Sequence, residues 1–189
     1  MKKNKCIFLD RDGTINVYKC LIHRKEDIEL ELYASEAIKR INDSEYLCIV
    51  VSNQPVVARN LCSIEEAWEI NRELEKLLKS ANGAYLDDIY ICPHHPDKGY
   101  PEENVEYKID CNCRKPKIGM ILDAARKYQI DLAQSYIIGD TTIDIMTGKN
   151  AGLKTILLQT GLAGSDKSYE VKPDFTAKNL LTAVDLILN

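Results

Sequence analysis

The stretch Ile7-Phe8-Leu9-Asp10-Arg11-Asp12-Gly13-Thr14 decides how the chain is read. An apolar run stops at two carboxylates one residue apart, and a glycine follows. Like charges roughly 4 Å apart repel by about 4 kcal/mol at an effective dielectric near 20. A strand end that keeps such a pair calls for a cation to share it. Taken by itself the segment also fits an Asx-capped turn or a fragment of a calcium loop, so the rest of the chain has to decide.

Further short β-branched or aliphatic runs occupy 47–52, 88–92, 135–139 and 154–159, in addition to 5–9. Each is bounded by Gly, Asp, Asn or Pro, the pattern of buried parallel strands. Helical spacing lies between them, most plainly over 63–80. There Ser63 and Glu66 form a capping box, and Ile64, Trp68, Asn71, Leu74 and Leu78 recur on one face. A second helix is expected over 117–128 with Ile118, Ile121, Leu122 and Ala125 inward, and others over 34–43, 142–150 and 179–188. Alternating strands and helices predict a single α/β domain over 1–189, its parallel sheet flanked by helices.

In such sheets ligands bind beyond the carboxyl ends of the strands. Asp10 and Asp12 follow the first run, Ser52 and Asn53 end the second, and Asp140 closes the run SYIIGD, with Asp144 one helical turn on. The expectation is that Asp10, Asp12 and Asp140 share one hard cation, Mg²⁺, which bridges a phosphate. Asp10 then attacks phosphorus and Asp12 serves as general acid and later base, its main-chain carbonyl also able to reach the metal. Ser52 holds phosphoryl oxygens, and Lys115 neutralises transition-state charge. Arg59 is a candidate for a substrate phosphate, and Tyr18, Lys19, Cys20 and Leu21 for a sugar pocket.

Cys92-Pro93-His94-His95-Pro96 and Cys111-Asn112-Cys113 make a second constellation, within a segment of little periodicity over 92–113. Three thiolates and an imidazole suit a closed tetrahedral zinc site: Cys92, His94, Cys111 and Cys113, with His95 as the competing ligand. A disulfide is the alternative, disfavoured in a reducing compartment. Arg114 and Lys115 follow Cys113 directly, so the metal would aim both at the cleft.

Bulk properties agree. The net charge of −4 gives no basic footprint for nucleic acid. The basic start, residues 1–5, precedes only four apolar residues, too few for a secretory signal, and no run reaches a membrane span. A cytoplasmic protein is expected.

The segments FLDRDGTIN (8–16), VVSNQ (50–54), CPHHP (92–96), CNCRKPKIGM (111–120) and IIGDTTID (137–144) resemble the haloacid dehalogenase (HAD) phosphohydrolases. More narrowly they resemble the family of D-glycero-D-manno-heptose 1,7-bisphosphate 7-phosphatases and histidinol-phosphate phosphatases. The resemblance implies a Rossmann-like HAD fold with no large cap and a zinc-binding loop in its place. It also implies Mg²⁺, an aspartyl-phosphate on Asp10, and a small phosphorylated sugar as substrate. Substrate contacts are implied at Arg11, Tyr18–Leu21, Ser52, Asn53, Gln54, Pro55, Arg114, Lys115 and Thr141. A sugar nucleotidyltransferase is the pathway partner it suggests. Pro55-Val56-Val57 stand where small residues are usual, Tyr18 where an acid is common, and Thr141 where lysine often follows the motif aspartate. Two other readings stand beside this one: a histidinol-phosphate phosphatase, and a zinc-stabilised binding module without catalysis.

Overall fold

The structure is a computed structural model that describes residues 3–97 and 103–189; positions 98–102 of the expected zinc loop lie outside the described residues. The elements are β1 (Lys5–Leu9), α1 (Ala34–Asn42), β2 (Tyr46–Asn53), α2 (Ile64–Asn82), β3 (Asp88–Cys92), α3 (Gly119–Tyr128), β4 (Tyr136–Gly139), α4 (Thr142–Ala151), β5 (Lys154–Leu158), β6 (Phe175–Ala177) and α5 (Leu180–Leu188). The strands form one parallel sheet in the order β3-β2-β1-β4-β5-β6.

Alternation along β1 explains its unbroken apolar run. Ile7 and Leu9 enter one core with Ile38 and Ile41 of α1, Leu74 of α2 and Val184 of α5. Cys6 and Phe8 enter the other core with Met120, Ile121 and Ala124 of α3. Complete burial of each such Ile, Leu or Phe contributes about 1.5–3 kcal/mol. The capping box at Ser63 is present, and Gly83 ends α2 in a left-handed conformation.

Three local expectations are corrected. A sixth strand, β6, adds to β5 beyond the loop at 163–173. α3 begins at Gly119 rather than 117, and its stripe is Met120, Ile121 and Ala124, leaving Leu122 exposed. Trp68 is at the surface, because Ala67 and Ile70 of α2 carry that part of its buried face.

A small separate cluster lies over the cleft side of the sheet. Val56, Val57, Cys62 and Ala67 are buried together, with Leu21, Ile64, Ile91 and Tyr107 packed against them. It joins the segments after β1, after β2 and after β3 into one body, and it gives Val56 and Val57 a packing role.

Candidate active site

The strand order reverses between β1 and β4, and at such a switch point the two connections leave in opposite directions and open a crevice. Asp10 follows β1, with its N–H donating to the Ile138 carbonyl at 3.0 Å; Asp140 follows β4. Asn53, the last residue of β2, clamps the Lys115 backbone from both sides. Its Oδ1 accepts from the Lys115 N–H at 2.9 Å, and its Nδ2 donates to the Lys115 carbonyl at 3.1 Å. The buried Lys115 ammonium is thereby set 2.8 Å from Asp10 Oδ1 and 2.6 Å from Asp144 Oδ1.

Oxygens of Asp10, Asp140 and Asp144 lie within 4.8 Å of one another. Asp140 Oδ2 accepts from the Leu162 N–H at 2.7 Å, whereas its Oδ1 is buried without a hydrogen-bond partner among the described residues. An orphaned carboxylate oxygen beside two further carboxylates fits a hard divalent cation. Gly13, at φ +80°, and Gly161, at φ +55°, are needed here: a Cβ on either would fall 2.3 or 2.1 Å from Asp140 Oδ2.

The expected carboxylate grouping changes in one member. The Asp12 side chain lines the cleft but stands outside the cluster, its oxygens accepting from Arg11 Nη2 at 2.9 and 3.0 Å, Gln54 Nε2 at 2.9 Å and Asn16 Nδ2 at 2.9 Å. Asp144 is the third carboxylate of the cluster with Asp10 and Asp140.

Burial, opposed by Lys115 and reinforced by Asp144, raises Asp10 to about 6. Burial and then the charges of Asp10 and Asp144 raise Asp140 to about 8. Carboxyls raised on folding stabilise below their unfolded pKa, near 4, and that contribution is lost as pH rises through about 6 and 8. Metal-free protein is therefore expected to lose melting temperature between pH 5 and 8.5, with Mg²⁺ restoring more at the alkaline end. Scanning calorimetry against Asp140→Asn checks this: the variant's slope should be shallower, and equal slopes would refute it.

Above the carboxylates lies a cleft of about 350 Å³. Tyr18, Cys20, Leu21, Ser52, Asn53 and Gln54 line it, as do Pro55, Arg59, Arg114 and Thr141. Two side chains expected to contact substrate do not line it. The Arg11 side chain is 0% exposed, bound to Asp12, Gln54 and Asn71, so it supports the site from behind. Lys19 turns outward, pairing with Glu29 at 3.0 Å and donating to the Asp27 carbonyl.

The Cys/His constellation closes on one point. Cys92 Sγ lies 2.9 Å from Cys113 Sγ and 3.5 Å from Cys111 Sγ, with Cys113 and Cys111 3.2 Å apart. His94 Nδ1 is 3.4 Å from Cys113 and 3.8 Å from Cys92. Hydrogen bonding from Cys92 holds Cys113 below the ordinary thiol range. This donor set suits a closed, four-coordinate zinc. His95 is not in it: its Nδ1 accepts from the Asp97 N–H at 3.2 Å. Tyr107 stacks on the His94 ring, and Arg114 Nη1 donates to the His94 carbonyl at 3.0 Å, which couples the cluster to the cleft.

A family model described as HAD-hyrolase-like matches residues 112–183. A D-glycero-beta-D-manno-heptose-1,7-bisphosphate 7-phosphatase of Haemophilus ducreyi is 36% identical over 184 residues, 97% of this chain and 98% of that protein. A D-glycero-D-manno-heptose-1,7-bisphosphate 7-phosphatase of Thermosynechococcus vestitus is 38% identical over 187 residues, 96% and 94% of the two chains. The chain belongs to the heptose-1,7-bisphosphate 7-phosphatase family. Among solved structures, the D,D-heptose 1.7-bisphosphate phosphatase of B. bronchiseptica, complexed with magnesium and phosphate, superposes with a TM-score of 0.83 at 28% identity, over 97% of this chain and 98% of that one.

Membership of this heptose-bisphosphate phosphatase family agrees with the parallel sheet and with the carboxylates at its edge. Two contributions on which the geometry depends were not assigned from the sequence: the pairing of Asp144 with Lys115 and the backbone N–H of Leu162. Asp144 was visible as the acid four residues after Asp140 in GDTTID, one turn into α4, but nothing local shows that it pairs with Lys115. Leu162 acts through its backbone N–H, which carries no sequence signal.

Proposed function

We propose that this chain is a Mg²⁺-dependent phosphatase that removes the 7-phosphate of D-glycero-D-manno-heptose 1,7-bisphosphate. The observation that carries the reading is the meeting of Asp10, its Lys115 counter-charge and the orphaned Asp140 oxygen at the floor of a cleft rimmed by Arg59 and Arg114. Asp10, Asp140 and the Asp12 carbonyl would hold the ion, with Asp144 behind them; bound there, it offsets the charge of substrate phosphate and carboxylates. Asp10 attacks phosphorus and carries the phosphoryl group as a mixed anhydride. Asp12, once released from Arg11 and Gln54, protonates the leaving alkoxide and afterwards takes a proton from the attacking water. Ser52 donates to a phosphoryl oxygen, and Lys115 stabilises charge on the transferring group.

Zinc on Cys92, His94, Cys111 and Cys113 has a structural part in this reading, fixing the backbone that leads into Arg114 and Lys115. A cytoplasmic setting goes with the seven free cysteines, which a reducing compartment keeps unpaired. Among the described residues no helix is long and apolar enough to cross a membrane. The product keeps its anomeric phosphate, the form a sugar nucleotidyltransferase consumes.

Arg59 and Arg114 also separate the substrate classes. A bisphosphate offers a second dianion to this rim, whereas histidinol phosphate offers a cationic amine, which two guanidiniums repel. Phosphate release should therefore favour either heptose 1,7-bisphosphate anomer over histidinol phosphate by at least ~10²-fold in kcat/KM, about 2.7 kcal/mol. Comparable rates would overturn the substrate assignment, and no release with Mg²⁺ present would leave the binding-module reading.

A further inference from the structure

The segment 160–169 lies across the carboxylate edge as a strap. Thr160 Oγ1 donates to the Gly13 carbonyl at 2.7 Å, the Leu162 N–H to Asp140 Oδ2 at 2.7 Å, and the Gly164 N–H to the Asp140 carbonyl at 2.7 Å. Asp140 is thus gripped by two strap amides. The Leu162 bond restrains rotation of the Asp140 carboxylate: Oδ2 is occupied, and Oδ1 is left without a hydrogen-bond partner among the described residues, in a carboxylate that sits beside Asp10 and Asp144.

The strap's own path is not the relaxed one. Gly161, Ala163, Gly164 and Lys167 all have positive φ, from 45° to 76°, a region in which Ala and Lys are disfavoured. Something must hold it down. Beyond its bonds to Gly13 and Asp140, the strap is held by Asp166, whose Oδ1 accepts from the Thr142 N–H at 2.8 Å and whose Oδ2 accepts from the Thr142 hydroxyl at 2.5 Å and the Ser168 N–H at 3.3 Å. The Tyr169 N–H then donates to Thr142 Oγ1 at 3.1 Å. Asp166 therefore bolts the strap to the first turn of α4, two residues past Asp140.

We propose that Asp166 is a positioning residue for the magnesium site, acting through the strap to aim Asp140 Oδ1 at the ion. This rests on the Mg²⁺ reading above. Mg²⁺ demands near-octahedral geometry at 2.0–2.1 Å, so an Asp140 carboxylate free to rotate is a poorer ligand. Residues that orient metal ligands from behind typically change affinity 10–100-fold when removed.

The test is titration calorimetry of Mg²⁺ into zinc-loaded protein at pH 7.5, with the Mg²⁺-induced melting shift as a second readout. Asp166→Ala should raise the Mg²⁺ dissociation constant about tenfold or more, with zinc content unchanged. Thr142→Val keeps the backbone donor but loses the hydroxyl's bond to Asp166 and its acceptance from the Tyr169 N–H, and should raise it by a smaller factor, threefold being about the expected size; it serves if Asp166→Ala does not fold. Dissociation constants within twofold of wild type in the folded variants would overturn the proposal. No Mg²⁺ binding by wild type would instead overturn the metal reading on which it stands.

Discussion

Asp10→Asn is expected to lower kcat at least ~10⁴-fold, the order of loss seen when a nucleophile is removed from an otherwise complete site. The amide matches the carboxylate in shape but cannot form the mixed anhydride. Lys115 keeps Asp144 at 2.6 Å, so the ammonium is not stranded. One of three crowded carboxylates becomes neutral, so the metal-free variant should melt no lower than wild type at pH 8. Acid-quenched protein from radiolabelled substrate should carry covalent phosphate in wild type and none in the variant. Turnover within a hundredfold of wild type would remove Asp10 as the nucleophile.

Stripping zinc is the second large effect. Structural zinc contributes on the order of 10 kcal/mol to the segments it orders, and for a chain of this size 1 kcal/mol corresponds to roughly 2–4 °C in melting temperature. If even a third of that reaches global stability, the midpoint falls by about 10 °C. Activity should fall with it, because Arg114 and Lys115 follow Cys113 immediately and lose their fixed backbone, not because a reactive water is lost. Treatment with a strong thiol-compatible chelator, zinc quantitation, and melting and rate measurements on the same sample decide the point. Zinc-free protein with unchanged midpoint and rate would refute the clamp.

Much of this was legible before any coordinates, and the misses share a cause. β1 to β5 were visible because both faces of the sheet are covered and each strand is a continuous apolar run. β6 was not, being three residues long with Phe175 and Thr176 exposed. Positions on strand ends were readable because the parallel topology alone brings residues 10, 52 and 140 to one edge. Direction was not: Asp12 and Arg11 look like a pair of polar groups at a cleft, and only the buried partners Gln54 and Asn71, supplied by the β2 loop and by α2, show that they face each other. The direction of Lys19 was equally hidden, since Glu29 and Asp27 draw it outward. The Cys/His cluster stood out because metal ligation constrains residue type and spacing together, and in the structure it is His94, not His95, whose ring nitrogen lies beside the three sulfurs.

The little cluster of Val56, Val57, Cys62 and Ala67 has an evolutionary corollary. Because it packs the three connections that wall the cleft against one another and onto Ile64, Ala67 and Ile91, those walls are expected to exchange together, as a cassette. Drift in that cassette would retune which sugar is admitted while the phosphoryl-transfer floor beneath stays untouched. A chimaera carrying a relative's three connections together should inherit that relative's preference, whereas one connection moved alone should mispack.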